Sequence, residues 1–430
     1  IKSENWQALN LLLEKYREKV KCIYIDPPYN TGSDEFIYKD RYQHSSWLSM
    51  MADRLALGRE TLSNDGVIFV SIDDNEFERL KYVMDSVFGG GNCRNLIVWH
   101  YGGRGAKAIS GQFPRNYDFV FLYSKSEAAK VEKDYVELRI PVSEARKQGF
   151  RQDEEGRWFK TAPRGDYTDE SIERFTAGGR VYETKTGGIR IKYFLRQEGD
   201  HVIDTKLVGD VWLDIPDMMH APKEERLDFD TQKPEKLLER IVKVSSKENE
   251  VILDFFVGSG TTCAVAQKMN RRWIGVDFGE FFESKPLERM KKVIYSSQKG
   301  GLFKYQYLEQ YEDTLNNLEL PRAAEGQLAF ETFGDEYLLK YMLDFETQGS
   351  PSLLNLDMFK DPFAYRLKVQ EGDEIVERPV DLVETFNYLL GLKVQKVRTL
   401  EDNGRLYRAV LGEKDGKRVA IVWRSVVGLE

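Results

Sequence analysis

The tetrad Asp26-Pro27-Pro28-Tyr29 constrains the fold more than any other stretch of this chain. It follows Cys22-Ile23-Tyr24-Ile25, an apolar run that reads as a short buried strand. Two successive prolines fix φ and remove two backbone donors, so the sheet stops there. The chain must leave the strand end as a stiff loop presenting a carboxylate, carbonyl groups and an aromatic ring. Such a set suits a flat, amino-bearing group such as a nucleobase.

The surrounding pattern predicts an α/β unit. Helices are expected over 6–16, 47–62 and 76–88, with strands over 22–25, 66–72, 95–99 and 119–123. Alternation of this kind implies a mainly parallel sheet covered on both faces. Residues 126–230 have short apolar runs and turn signals such as Gly178-Gly179 and Gly187-Gly188, and read as a separate insert. The α/β pattern returns with a helix over 236–245, a strand over 251–256, a helix over 261–269 and a strand over 273–277. Beyond 297 a different module begins, with helices over 336–345 and 380–390. It ends in a meander over 394–399, 406–413 and 418–423, turned by Asn403-Gly404 and Asp415-Gly416. The expected domains are therefore 1–125, 126–230, 231–296 and 297–430.

A length of 430 residues suits two or three domains, and 41% hydrophobic residues suffice for sizeable cores. No apolar run reaches the roughly 18 residues a membrane helix needs. The first residue is Ile1, so residues are expected to precede it; Gly89-Gly90-Gly91 and Ser296–Gly301 look like points where residues are absent. Cys22, Cys93 and Cys263 are far apart in apolar surroundings and read as free thiols of a cytoplasmic protein. The four histidines show no metal-ligand spacing, so no metal is expected. The net charge of −8 hides a regional split. Residues 94–125 carry five basic and one acidic residue, and 139–196 carry thirteen and nine, whereas 309–384 carry six and eighteen. The middle is basic enough to meet phosphates.

A second motif is Val251-Ile252-Leu253-Asp254-Phe255-Phe256-Val257-Gly258-Ser259-Gly260-Thr261-Thr262, a strand running through a glycine turn into a helix. Glycines there let backbone approach a ligand, at the strand ends where nucleoside cofactors bind. Alone, such a turn also occurs in α/β proteins without any ligand. The next strand ends at Asp277, placed to accept hydrogen bonds from ribose hydroxyls. No G-x-G-x-x-G or P-loop pattern is present, which disfavours NAD and ATP.

Together the two motifs resemble the β-class amino-group DNA methyltransferases that use S-adenosylmethionine, in which the target-recognition region lies between the catalytic and cofactor halves. Thr231-Gln232-Lys233-Pro234-Glu235-Lys236 looks like that family's further cofactor-side motif. Asp26-Pro27-Pro28-Tyr29-Asn30-Thr31-Gly32, the following Ser71–Asp74 segment and the acidic C-terminal module look most like the modification subunit of type III restriction–modification systems. The resemblance implies a Rossmann-like domain with an inserted recognition domain and a small α+β C-terminal domain. It assigns catalysis to Asp26, Pro27, Pro28 and Tyr29. It assigns cofactor binding to Lys233, Asp254, Phe255, Phe256, Gly258, Ser259, Gly260, Thr261 and Asp277. Asp at position 26, rather than Ser, tilts it toward adenine N6 over cytosine N4. Phe255 stands where many relatives have Pro.

In chemical terms, Asp26 and the Pro27 carbonyl each accept one N–H of the amino group, drawing its lone pair out of the ring. Tyr29 stacks on a base flipped from the duplex. In the basic middle, Arg104, Lys107, Arg115, Arg139, Arg146, Lys147, Arg151, Arg164, Arg180 and Arg190 are candidates for contacts to double-stranded DNA. Trp158, Phe159 and Tyr167 read as local core. Implied partners are a second copy of the chain and a separate helicase–nuclease restriction subunit, with no membrane. A solitary or type II-like methyltransferase and a non-catalytic DNA-specificity subunit are the competing readings.

Overall fold

The computed structural model describes residues 1–32, 40–102, 113, 115–184, 186–296, 301–310, 313–314, 317, 360–371 and 374–427. The chain divides into two compact units, one of Ile1–Lys130 with Ile215–Glu430 and the other of Val131–Asp214. Residues 126–130 and 215–230 thus fall with the larger unit.

In the larger unit, α1 (Asn5–Tyr16) leads into β1 (Val20–Ile25), followed by α2 (His44–Thr61), β2 (Leu62–Ile72), α3 (Phe77–Phe88), β3 (Cys93–His100) and β4 (Tyr117–Ser124). After residue 215 come the Glu235–Ser245 helix, the Val251–Asp254 strand, the Thr261–Lys268 helix and the Arg272–Gly275 strand. The sheet runs β3, β4, β2, β1, Val251–Asp254, Arg272–Gly275. β1 lies parallel to both β2 and Val251–Asp254, with Ile23 opposite Ile68 on one side and Leu253 on the other. The β3–β4 and β2–β4 pairings are antiparallel, so β4 alone runs against the other five strands of a sheet that is otherwise parallel, as expected. Apolar alternation marks strands but carries no direction, so the sequence could not reveal this reversal.

Alternate residues of the central strands face opposite helical layers. Ile23 and Ile25 of β1 share a core with Ala8, Leu9 and Leu12 of α1 and Trp47, Met51 and Leu55 of α2. Burying each such side chain contributes about 1.5–3 kcal/mol. Trp47, Met51, Leu55 and Gly58 form the buried stripe of α2 at three- and four-residue spacing. Trp47 also donates its indole N–H to the Pro28 carbonyl at 2.8 Å, tying α2 to the loop that leaves β1.

The smaller unit holds two antiparallel sheets. One orders Arg196–Glu198, His201–Leu207 and Tyr135–Pro141; the other orders Arg151–Gln152, Trp158–Pro163, Ile189–Phe194 and Val181–Glu183. Trp158 and Phe159 are buried, whereas Tyr167 is 40% exposed and meets Phe175 edge-on.

The C-terminal meander spans Lys393–Asp402, Arg405–Lys414 and Lys417–Arg424. Asn403, Gly404, Asp415 and Gly416 all have positive φ, as two-residue hairpin turns require. The Leu382–Leu389 helix packs Val383 beside Val410 of that sheet. The helix expected over 336–345 lies outside the described residues. Cys22 and Cys263 are buried free thiols and Cys93 is partly exposed. Among the described residues, no helix is long and apolar enough to cross a membrane.

Candidate active site

β1 and Val251–Asp254 are adjacent parallel strands whose onward connections run in opposite directions, β1 toward β2 and Val251–Asp254 toward Arg272–Gly275. That junction is the switch point of the sheet, where open α/β folds place their ligands. A cavity of about 560 Å³ lies there, within the roughly 300–1,000 Å³ typical of small-molecule sites. Asp26 and Pro28 line it from the β1 end, and Lys233, Asp254, Phe255 and Phe256 from across the switch point. Gly258, Ser259, Thr261 and Asp277 of the expected set line it too, whereas Pro27, Tyr29 and Gly260 do not.

The prolines end β1 at Ile25, and Asp26 is the first residue beyond it. Lys233 donates to Asp26 Oδ2 at 2.7 Å, while Oδ1 is buried and without a hydrogen-bond partner among the described residues. The Lys233 ammonium also lies 4.9 Å from the centre of the Tyr29 ring, in cation–π contact. The Tyr29 hydroxyl donates to Asp118 Oδ2 at 3.4 Å. Burial, with Asp118 and Asp26 nearby, pushes that hydroxyl well above the usual phenol range. Burial likewise raises the Asp118 carboxyl, against the pull of Lys233.

The loop after Tyr29 is held by two carboxylates that the sequence did not disclose. Asp40, 2% exposed, accepts from the Asn30 N–H at 2.8 Å and the Thr31 N–H at 2.9 Å. Glu76, fully buried, accepts from the Asn30 side chain at 2.6 Å and pairs with His44 at 2.6 Å. Asn30 can thereby keep φ at +58°, a conformation that Asn tolerates better than most residues.

The glycine turn is equally specified. Gly258 has φ of +48° and Gly260 of +81°. A Cβ on Gly260 would stand 3.0 Å from Pro286 Cβ. Gly260→Ala therefore combines left-handed strain of about 1–2 kcal/mol with a tight contact. Its unfolding midpoint should fall by several degrees, as calorimetry would read; an unchanged midpoint contradicts this account.

Asp254 Oδ2 accepts from Thr262 at 2.5 Å and Oδ1 from the Phe256 N–H at 3.0 Å. Burial nevertheless pushes its pKa up to about 7, from 3.8. A carboxyl raised in the folded state binds its proton more tightly folded than unfolded. Stability from this group is thus full below about pH 4 and lost as pH rises through about 7, at up to about 1.4 kcal/mol per unit. Asp254→Asn keeps the shape and removes the titration, so its melting temperature should gain on wild type between pH 5 and pH 8. Parallel curves would contradict the shift.

Asp277 accepts from the Gly258 N–H at 2.8 Å through Oδ2, and from the Phe278 and Gly279 N–H groups at 2.8 and 3.1 Å through Oδ1. Asn5 and Arg54 also line the cavity, although the sequence reading passed over them. Asn5 donates to the Phe255 carbonyl at 3.1 Å, and Arg54 is held by Asn5 and Glu4. A polar residue at the first position of α1 was the one visible signal.

The basic candidates make mostly local contacts. Arg115 pairs with Asp73 at 3.3 Å and with Asp74. Within the smaller unit, Arg139 pairs with Glu198 at 3.0 Å, Arg164 with Asp169, and Arg190 donates to Thr161 at 2.8 and 2.9 Å. Arg151 and Arg180 lie over the rings of Tyr182 and Phe175 at 4.6 and 4.9 Å. Arg146 donates to Gln152 at 3.1 Å. Arg104 and Lys107 lie outside the described residues.

Fold and cavity define a Rossmann-like α/β domain with a cavity at its switch point. Residues 20–288 match the family model described as DNA methylase (N6_N4_Mtase), and the chain belongs to that family. It is 27% identical over 479 aligned positions to the probable type III restriction–modification enzyme HindVI Mod subunit of Haemophilus influenzae, covering 90% of this chain and 63% of that protein. It is 30% identical to the StyLTI Mod subunit of Salmonella typhimurium, covering 62% and 49%. It is also 30% identical to the type II methyltransferase M.EcaI of Enterobacter cloacae, covering 67% and 68%. The chain thus spans about half to two thirds of the two Mod subunits. Among solved structures, the M1.HpyAVI–SAM complex aligns with 67% of this chain and 97% of its own, at 14% identity and a TM-score of 0.39.

Proposed function

We propose that the chain is a site-specific DNA methyltransferase acting on the N6 amino group of a flipped adenine, with S-adenosylmethionine as donor. We further propose that it is the modification subunit of a type III restriction–modification system. The observation that carries this reading is Asp26: a half-buried carboxylate whose Oδ1 is buried and without a partner among the described residues, lining a cavity it shares with the glycine turn. A buried acceptor left empty costs about 1–3 kcal/mol or more, which a ligand N–H would recover.

The residues fit the cofactor. The Gly258–Gly260 turn lets backbone approach it, Phe255 and Phe256 offer apolar surface, and Asp277 sits where ribose hydroxyls would arrive. When bound, it supplies an electrophilic methyl group. Asp26 Oδ1 and the Pro27 carbonyl then each accept an amino N–H, localising the nitrogen lone pair and stabilising the charge that develops there. The Pro28 carbonyl already accepts from Trp47, whereas among the described residues Pro27 keeps both lone pairs of its carbonyl for the amino group. Tyr29 stacks on the extruded base for about 1–3 kcal/mol, comparable with the few kcal/mol that flipping costs.

Transfer of tritium from labelled S-adenosylmethionine to mixed DNA tests the activity. Nucleoside digestion should then place the label on N6-methyladenine; label on N4-methylcytosine would overturn the base assignment, and no label the enzyme assignment. The match to M.EcaI across two thirds of both chains keeps a solitary type II-like enzyme as second reading. Co-purification with a large helicase subunit separates the two.

A further inference from the structure

We infer that Lys233 is a positioning residue for Asp26, one that caps a carboxylate oxygen and leaves the other as the acceptor for the target amino group. The inference rests on the methyl-transfer reading above and departs from the cofactor-binding role that the sequence suggested for Lys233.

Lys233 lies 207 residues from Asp26, in the segment that enters the Glu235–Ser245 helix. Its two ends are fixed separately. The Lys233 carbonyl accepts from the Thr261 hydroxyl at 3.2 Å, at the start of the helix that follows the glycine turn. Arg289, 6% exposed, holds that same hydroxyl at 2.8 Å and Glu235 at 2.9 Å. The ammonium end reaches Asp26 Oδ2 and the Tyr29 ring. Lys233 is therefore a strut from the glycine turn to the Asp-Pro-Pro-Tyr loop.

An ammonium on Oδ2 fixes the carboxylate plane and takes up one lone pair of that oxygen. Oδ1 keeps both of its lone pairs and is the oxygen without a partner. Charge points the same way. Asp26 is faced by Tyr24 from β1, by Tyr29, by Asp118 from β4 and by Asp254 from the neighbouring strand, all acidic or neutral groups. Lys233 is the cation that pairs with it directly. Among these acidic neighbours a direct cationic partner holds the carboxylate in one orientation.

The test uses the full chain with Lys233→Met and Lys233→Arg. Calorimetry gives S-adenosylmethionine affinity, and tritium transfer at saturating cofactor gives kcat and the KM for DNA. Expected for Lys233→Met is a kcat loss approaching about 100-fold, the cost of misplacing a reacting group by about 1 Å, with cofactor affinity changed by less than about threefold. Lys233→Arg should recover most of the rate. Cofactor affinity weakened tenfold or more, with kcat kept, would overturn the inference and return Lys233 to the cofactor. A wild-type protein that transfers nothing to DNA would overturn the functional reading instead. The pairing is then judged alone, by thermal unfolding of Lys233→Met, Asp26→Asn and the double variant. Midpoint shifts that fail to add support the strut, and additive shifts reject it.

Discussion

Asp26→Ala should abolish methyl transfer to DNA while S-adenosylmethionine still binds. In the proposed mechanism Asp26 acts on the amino group through Oδ1, and the glycine turn proposed to bind the cofactor is built from other residues, so the loss should fall on kcat. A single oriented electrostatic group is worth about 10²–10³-fold in rate, and alanine here also strands the Lys233 ammonium beside Tyr29. Asp26→Asn keeps an acceptor oxygen and the side-chain shape, and should fall between wild type and alanine. Tritium transfer and calorimetry on the same preparations decide the matter. Lost cofactor binding with an intact fold would sink the assignment of Asp26 to the target base.

The second large effect belongs to Asp277. Its carboxylate gathers three backbone N–H groups, from Gly258, Phe278 and Gly279, so that it fastens the glycine turn to the end of the Arg272–Gly275 strand. Alanine leaves those donors unmet. The Phe278 N–H can turn to water, since that residue is 57% exposed. The expected destabilisation is therefore about 2–6 kcal/mol, at about 1–3 kcal/mol for each of the two donors left without a partner. Cofactor affinity should fall by more than tenfold as the turn loosens. A ribose role makes a narrower prediction. Oδ1 already accepts twice, which leaves Oδ2 with one free lone pair for a hydroxyl. Wild type should then bind a deoxyribose analogue more weakly than S-adenosylmethionine, and Asp277→Ala should not distinguish the two. Equal discrimination by both proteins would leave Asp277 a purely structural acceptor.

What the sequence disclosed and what it hid divide along a physical line. Local backbone chemistry was legible. Pro27-Pro28 ended β1, Gly258 and Gly260 took positive φ, and Asn403-Gly404 and Asp415-Gly416 turned the meander, because each feature follows from the residues at the spot. Strand direction was not legible at the β3–β4 edge, since alternation reads the same both ways. Side-chain partners far apart in the chain were not legible either. Asp40 and Glu76 clamp Asn30 across 10 and 46 residues, and Lys233 reaches Asp26 across 207. No periodicity marks such contacts. A lysine beside a proline at the head of a helix looks the same whether its ammonium meets a cofactor or a carboxylate.

The neighbourhood of β1 bears on how the protein comes to exist at all. Its partner on one side, β2, follows within a few dozen residues; its partner on the other, Val251–Asp254, is made more than half a chain later. During synthesis β1 must wait with one apolar edge uncovered, a hazard for mispairing and aggregation. Pairing so distant in sequence also slows closure of the sheet. A nascent chain arrested before residue 251 should therefore engage chaperones and resist solubilisation, and one released after residue 275 should not.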